Sequence, residues 1–245
     1  MFRHKGRSRA YIHNLRLAAM LSFVAGMVNV TGVLSVKTLT TNVTGHFAYF
    51  AEELVNKNYM TSVIFLLYIL FFLFGAFVSS FLIGIISRTN PEVSHSGPMI
   101  IEIALLVFVA FFGTSLMLQN HGGHLIAYVL LFAMGIQNSL VTQVSQSTVR
   151  TTHLTGLFTD LGIELSQLFF FRKTKELKRL SKSIYLRLLI IAFFFTGCIL
   201  GGFLFGTYQL KTLLFASGCL VVAFLYDNLR YRFYFFKRRL KSWKP

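Results

Sequence analysis

Residues 60–87, MTSVIFLLYILFFLFGAFVSSFLIGIIS, run without a single charge and without a polar face at helical spacing. A helix needs about 20 mostly apolar residues to cross a bilayer. Stretches of this kind recur, and they predict six spans at roughly 15–36, 60–87, 99–118, 124–144, 184–207 and 209–229. Two longer connections, 37–59 and 145–183, are only half apolar. Each carries a compact polar motif: TTNVTGHFAYFAEEL at 40–54 and TTHLTGLFTDLGIEL at 151–165.

The two motifs align without gaps. Thr40, Thr41, Thr44, Gly45, Phe47, Glu53 and Leu54 match Thr151, Thr152, Thr155, Gly156, Phe158, Glu164 and Leu165. Upstream, AGMVN (25–29) matches MGIQN (134–138), which pairs Gly26 with Gly135 and Asn29 with Asn138. Downstream, Phe72, Gly75 and Gly84 of the second span match Phe194, Gly197 and Gly206 of the fifth. The three blocks keep one order, so the chain reads as two three-span units, 1–118 and 119–245, in a single membrane domain. Three is odd, so the second unit enters the membrane from the opposite side. The expectation is an all-α polytopic membrane protein, a 3+3 inverted-topology repeat with a short half-helix after spans 1 and 4. Repeats of that symmetry build secondary transporters, with solute sites at interrupted helices near the midplane.

Composition fits a membrane chain: 55% hydrophobic and 13% charged, against about 25% charged for soluble domains. The net charge of +16 would suit nucleic acid, but its placement suits a membrane. With the N-terminus inside, five Lys and Arg lie by residue 16, then Arg88, eight from Arg150 to Arg187 and seven from Arg230; only Lys37, Lys57 and Lys211 fall outside. The positive-inside rule then puts both ends in the cytoplasm. The basic, aromatic tail RYRFYFFKRRLKSWKP reads as an anchor on anionic lipid, and no nucleic-acid partner is expected. The first apolar run is a span rather than a cleaved signal. Cys198 and Cys219 lie in apolar runs and read as small core residues.

Irregular backbone at membrane depth needs burial in protein or a wet cavity. Thr44-Gly45 and Thr155-Gly156 therefore read as half-helix starts whose free N–H groups face inward, toward a polar or anionic group. The candidate solute-binding residues are Asn29, Asn42, Thr44, Gly45, His46, Gln137, Asn138, His153, Thr155 and Gly156. For Asn29 and Asn138, interhelical hydrogen bonding is an equal alternative. Gly75, Gly84, Gly197, Gly201, Gly202 and Gly206 read as close-packing positions. The proton-coupling candidates are Glu53, Asp160 and Glu164, on the argument that carboxylates in partly apolar settings titrate high. Solvated interfacial placement is their alternative. Glu102, early in the third span near the cytoplasmic interface, reads as a residue that snorkels to water or pairs with a nearby base, ahead of a coupling role. His121 and His124 lack a third ligand, so no metal site and no cofactor is expected. No nucleotide loop, Ser-His-Asp order or zinc-protease motif is present, so no enzyme is expected, with an intramembrane enzyme acting on lipid or a small metabolite as the minor alternative.

The block LFAMGIQNSLVTQVSQSTVRTTHLTGLFTDLGIEL resembles the YoaK family's FAMGxQN…TTxxTGxxT pattern. FVAGMVN and NVTGH resemble its FxxGxxN/D…TGN pattern. The resemblance covers essentially the whole chain. It implies a bacterial membrane protein with six helices and supplies no substrate. That family commonly has Asp where this chain has Asn29, and Asn where it has His46, which implies altered coupling or specificity here. The leading expectation is a transporter or channel-like protein of the bacterial cytoplasmic membrane, moving a small polar or anionic solute, proton-coupled, and open to homo-oligomer formation. The alternative is a scaffold or regulatory protein whose motifs only lock helices together.

Overall fold

A computed structural model describes residues 11–170 and 174–241. The basic segment before residue 11, Arg172, Lys173 and the side chains of the basic tail lie outside the described residues. The described chain is helical throughout, with no strand. Its helices are α1 (Tyr11–Val36), α2 (Val43–Val55), α3 (Tyr59–Thr89), α4 (Ser96–Met117), α5 (Gly122–Ser145), α6 (Leu154–Gln167), α7 (Thr174–Tyr208) and α8 (Thr212–Lys241). Five stretches are long and apolar enough to cross a membrane: 11–36, 59–89, 96–117, 122–145 and 175–226. The last runs through α7 and α8, which are joined by one 3₁₀ turn, Gln209–Lys211. The short α2 and α6 fall where half-helices were expected, each starting one residue before its Thr-Gly pair.

α1 and α5 form the centre. Leu17, Leu21, Val24 and Val28 of α1 and Leu130, Met134, Ile136 and Leu140 of α5 are wholly buried. α1 packs on α7, α8 and α5; α5 packs also on α3 and α4; α4 packs on α8. Large apolar side chains point outward instead from α3 (Phe74, Phe77, Phe81), α4 (Phe111, Phe112) and α7 (Phe195, Phe203). That apolar outer surface is what lipid tails solvate.

The tightest contacts come in two matching sets. A Cβ on Gly26 would strike the carbonyl of Phe194, and one on Gly197 the carbonyl of Phe23. A Cβ on Gly135 would strike the carbonyl of Phe72, and one on Gly75 the carbonyl of Phe132. Under the sequence pairing of Gly26 with Gly135 and Gly75 with Gly197, the α1–α7 contact is the α3–α5 contact over again. Small residues let helix backbones approach where no larger side chain fits. Gly201 is also crowded, by Met27 and Val30, but Gly84 and Gly206 have nothing within 4 Å. The close-packing expectation fails at those two because both face outward, while Ile83 beside Gly84 and Phe205 beside Gly206 still pack on the core. Glycine there makes room for nothing.

Helices α1 and α5 also end alike. Lys37 and Gln146, the residues just past their ends, both take left-handed backbone, φ 56° and 52°. Each turn aims the following Thr-Thr pair back at its own helix.

Candidate functional site

Each returning segment is fastened by the same bond. Thr41 Oγ1 donates to Asn29 Oδ1 at 3.0 Å, and Thr152 Oγ1 donates to Asn138 Oδ1 at 3.0 Å. Of the two readings of these asparagines, interhelical bonding and solute contact, the first describes their carbonyl oxygens. Their amide NH₂ groups are not used in these bonds. Beside them Thr40 and Thr151 are fully buried with no partner for the hydroxyl.

Asn42 caps α2: its Oδ1 accepts from the Gly45 N–H at 3.1 Å. Asn is a preferred residue for that role. His153 holds the equivalent place before α6 without a side-chain cap bond, and its ring lies where a Cβ on Gly156 would go. One α2 amide is thus spoken for.

Both motifs open on one cavity of about 930 Å³. Asn29, Thr41, Asn42, Thr44 and Gly45 line it from the first half; Asn138, Thr142, Arg150, Thr152, His153 and Thr155 line it from the second. Phe72 and Phe194, the residues beneath the glycine contacts, close its apolar side. Among the described residues, the lining includes Arg150 and no acidic side chain. The cavity therefore offers donors: two helix N-termini, a guanidinium, amides and hydroxyls.

Three expected site residues stand elsewhere. Gln137 is fully buried and donates from Nε2 to the Leu21 carbonyl at 2.8 Å, tying α5 to α1. It is one helix position, about 100°, away from Asn138, which does face the cavity. His46 is buried among Phe65 and Tyr68, and its Nε2 donates to the Leu39 carbonyl at 2.8 Å. Burial pushes its pKa down and the Leu39 bond opposes that, with burial winning. Gly156 lines a second, smaller cavity of about 400 Å³. Arg150 and His153 line both cavities and so stand between them.

The acidic candidates are engaged. Arg187 Nε donates to Glu164 Oε2 at 2.8 Å, its Nη2 to Glu164 Oε1 at 3.0 Å and its Nη1 to Asp160 Oδ2 at 2.9 Å. Ser183 Oγ donates to Glu164 Oε1 at 2.6 Å. Burial pushes the Glu164 carboxyl up, but the Arg187 and Ser183 bonds outweigh it and hold it below the usual value. This corrects the expectation of a high-titrating carboxylate, because the sequence could not show that Arg187 of α7 reaches α6. Glu53 has no such partner; its Oε2 accepts from Asn58 Nδ2 at 2.8 Å at the end of α2. His124 shares a 2.7 Å hydrogen bond with the Tyr68 hydroxyl. Among the described residues no three His, Cys, Asp or Glu side chains gather as a metal site.

Arg150 was missed, and for Glu102 a coupling role stood second to a bland one. Arg150 looked like one more inside charge, and only its place two residues before Thr152 hinted at the cavity. Glu102 does not reach water: it is wholly buried, and among the described residues neither carboxylate oxygen has a hydrogen-bond partner.

The profile of a family described as a protein of unknown function, DUF1275, matches residues 17–226. The chain is similar to the UPF0700 transmembrane protein YoaK of Bacillus subtilis (strain 168), 25% identical over 185 residues, covering 75% of this chain and 80% of that protein. No solved structure matches. The resemblance carried by the GxxN and Thr-Gly blocks is thereby borne out, and the chain is a multi-pass membrane protein.

Proposed function

We propose a function from the premise that the chain belongs to the DUF1275 family: it carries a small anion across the bacterial cytoplasmic membrane, bound between the two Thr-Gly half-helices. One observation supports this above the rest. Both Asn–Thr pairs and both half-helix starts border a single cavity whose lining includes Arg150 and no acid. Helix N-termini and arginine favour oxyanions for the same reason, aligned N–H donors backed by positive charge.

On this reading the molecule is a 3+3 inverted repeat of six spans, α1, α3, α4, α5, α7 and α8. The recurring glycine contacts, the paired Asn–Thr bonds and the matching left-handed turns support it. Both termini lie in the cytoplasm, where basic segments meet anionic lipid. The first cavity holds the solute near the midplane, and the second, past Arg150 and His153, leads toward the cytoplasm. The protein is a carrier and not an enzyme.

A scaffold is the second reading, favoured by the fact that Thr41 and Thr152 spend their hydroxyl hydrogens on Asn29 and Asn138. Thermal unfolding in detergent separates the two. Phosphate, sulfate and short carboxylates are screened as probes. A ligand at about 100 times its Kd stabilises by about 2.7 kcal/mol. The expected result is a raised midpoint for at least one anion, lost in Arg150→Gln and in Thr155→Val/Asn138→Leu. If no anion protects, or the variants are protected equally, the carrier reading fails.

A further inference from the structure

Glu102 is the one fully buried acid among the described residues, and its surroundings in the sequence are apolar. Six other unpartnered oxygens belong to residues buried as completely, on Ser22, Thr40, Ser79, Gln137, Thr151 and Thr212. Helix register brings one of them, Gln137 Oε1, to the level of Glu102. Gly113 of α4 packs near Ile126 of α5. Glu102 lies 11 residues before Gly113, and Gln137 lies 11 residues after Ile126. The two helices run antiparallel, so both steps lead the same way along the bundle. Eleven residues make about three turns. Glu102 and Gln137 therefore sit at the same depth, on the same sides of α4 and α5 that meet at Gly113 and Ile126. Gln137 Nε2 is already spent on the Leu21 carbonyl of α1, which leaves only its Oε1 for a partner on α4.

We propose that Glu102 and Gln137 form a proton-binding site inside the membrane layer. The hydrogen-bond inventory argues for it. Without an added proton, Glu102 offers acceptors only, and Gln137 Oε1 at the same level is an acceptor too. One proton on Glu102 supplies the missing donor: its O–H donates to Gln137 Oε1. The amide of Gln137 stays on Leu21, so the bound proton ties α4 to α5 and α1 at once. An unpaired buried charge is the arrangement proteins avoid.

No described titratable group competes for that proton at this level. On the elements packed against α4, α3 carries Tyr59, Tyr68 and Arg88, and α5 carries His124 and Tyr128 with none from 129 to 145. The 3₁₀ turn carries Lys211, and α8 carries Cys219 and Tyr226. Of these only Cys219 lies near the level of Glu102, and a thiol carries no positive charge. His95, two turns before Glu102 on its own helix, is engaged with a partner.

The site is one residue from the cavity, because Asn138 follows Gln137 on α5. That link would make Glu102 the coupling group in place of Asp160 and Glu164, and this consequence rests on the carrier reading. The proton site itself does not.

Infrared spectroscopy of the purified protein in lipid vesicles tests it. A carboxylic-acid C=O band is expected at neutral pH, absent from Glu102→Gln and displaced in Gln137→Leu, which removes the acceptor. If Glu102→Gln does not fold, Glu102→Asp must show the band at an altered frequency. No band at neutral pH, or a band kept in full in Glu102→Gln, unmoved in Gln137→Leu or absent from Glu102→Asp, overturns the proposal. Anion protection is read by a different measurement, so the cavity reading and the proton site can fail separately.

Discussion

Gly135 has no room for a methyl group, and the obstacle is a backbone carbonyl rather than a side chain that could turn away. Gly206, its counterpart in composition, has nothing within 4 Å. Overpacking of a rigid contact costs about 1–3 kcal/mol. Gly135→Ala is therefore expected to lower the unfolding midpoint in detergent clearly, while Gly206→Ala leaves it unchanged or slightly higher by relieving helix entropy. Equal responses at the two sites would contradict the packing described. At this scale the sequence was partly legible. The repeat marked Asn29 and Asn138, Thr41 and Thr152, and the structure bonds them pairwise. It could not say which way a side chain turns. Gln137 and Asn138 are neighbours in the chain, yet one faces the core and the other the cavity. His46 sat inside the right motif but is held by Leu39 and two aromatic rings. Glu102 looked interfacial because its depth depends on α5 and α8 covering it, which is information held in other parts of the chain.

The two half-helices are anchored differently. α2 packs along α3, whereas α6 is held to α7 by Arg187 through Glu164 and Asp160. Phe65 takes the place of Arg187 in the first half by the repeat pairing. Charged hydrogen bonds of this sort are worth about 1.5–3 kcal/mol, less where exposed as at Asp160. Arg187→Met is expected to weaken the docking of α6 by about 1–2 kcal/mol, a five- to thirty-fold rise in amide exchange in α6 with α2 unaffected. Acid should do the same. The folded state holds Glu164 below its ordinary value, so its stabilisation is complete above the unfolded value near 4.5 and is lost as pH falls through the folded one. Amide exchange in α6 that does not change with Arg187→Met would remove the clamp. The existence and start of both half-helices were readable from Thr-Gly and the acidic periodicity. Their anchoring was not, because Arg187 lies among basic residues that the charge rule counts only by side.

For the molecule as a whole, the proposed topology has both ends in the cytoplasm and the 119–121 turn outside, on the strength of the charge distribution. A fluorescent protein fused after Pro245 is expected to glow, and alkaline phosphatase inserted at residue 120 to be active. The reverse pattern would invert every statement made about which cavity faces which side. The overall class was legible early, since long uncharged runs admit few alternatives. The arrangement of helices in space was not, because apolar surfaces look alike in sequence whether they meet lipid or each other.

The glycine contacts tie each half to the other rather than to itself. Cys198 Sγ reaches the Gly26 carbonyl across 172 residues of sequence. Ribosomes add about 5–20 residues per second, so α1 waits on the order of ten to thirty seconds for α7 to be made. During that interval the Gly26 face of α1 is bare in the membrane, whereas the Gly75 face of α3 waits only for α5. The nascent first half is thus an unfinished surface, and the timing of synthesis decides when it is covered.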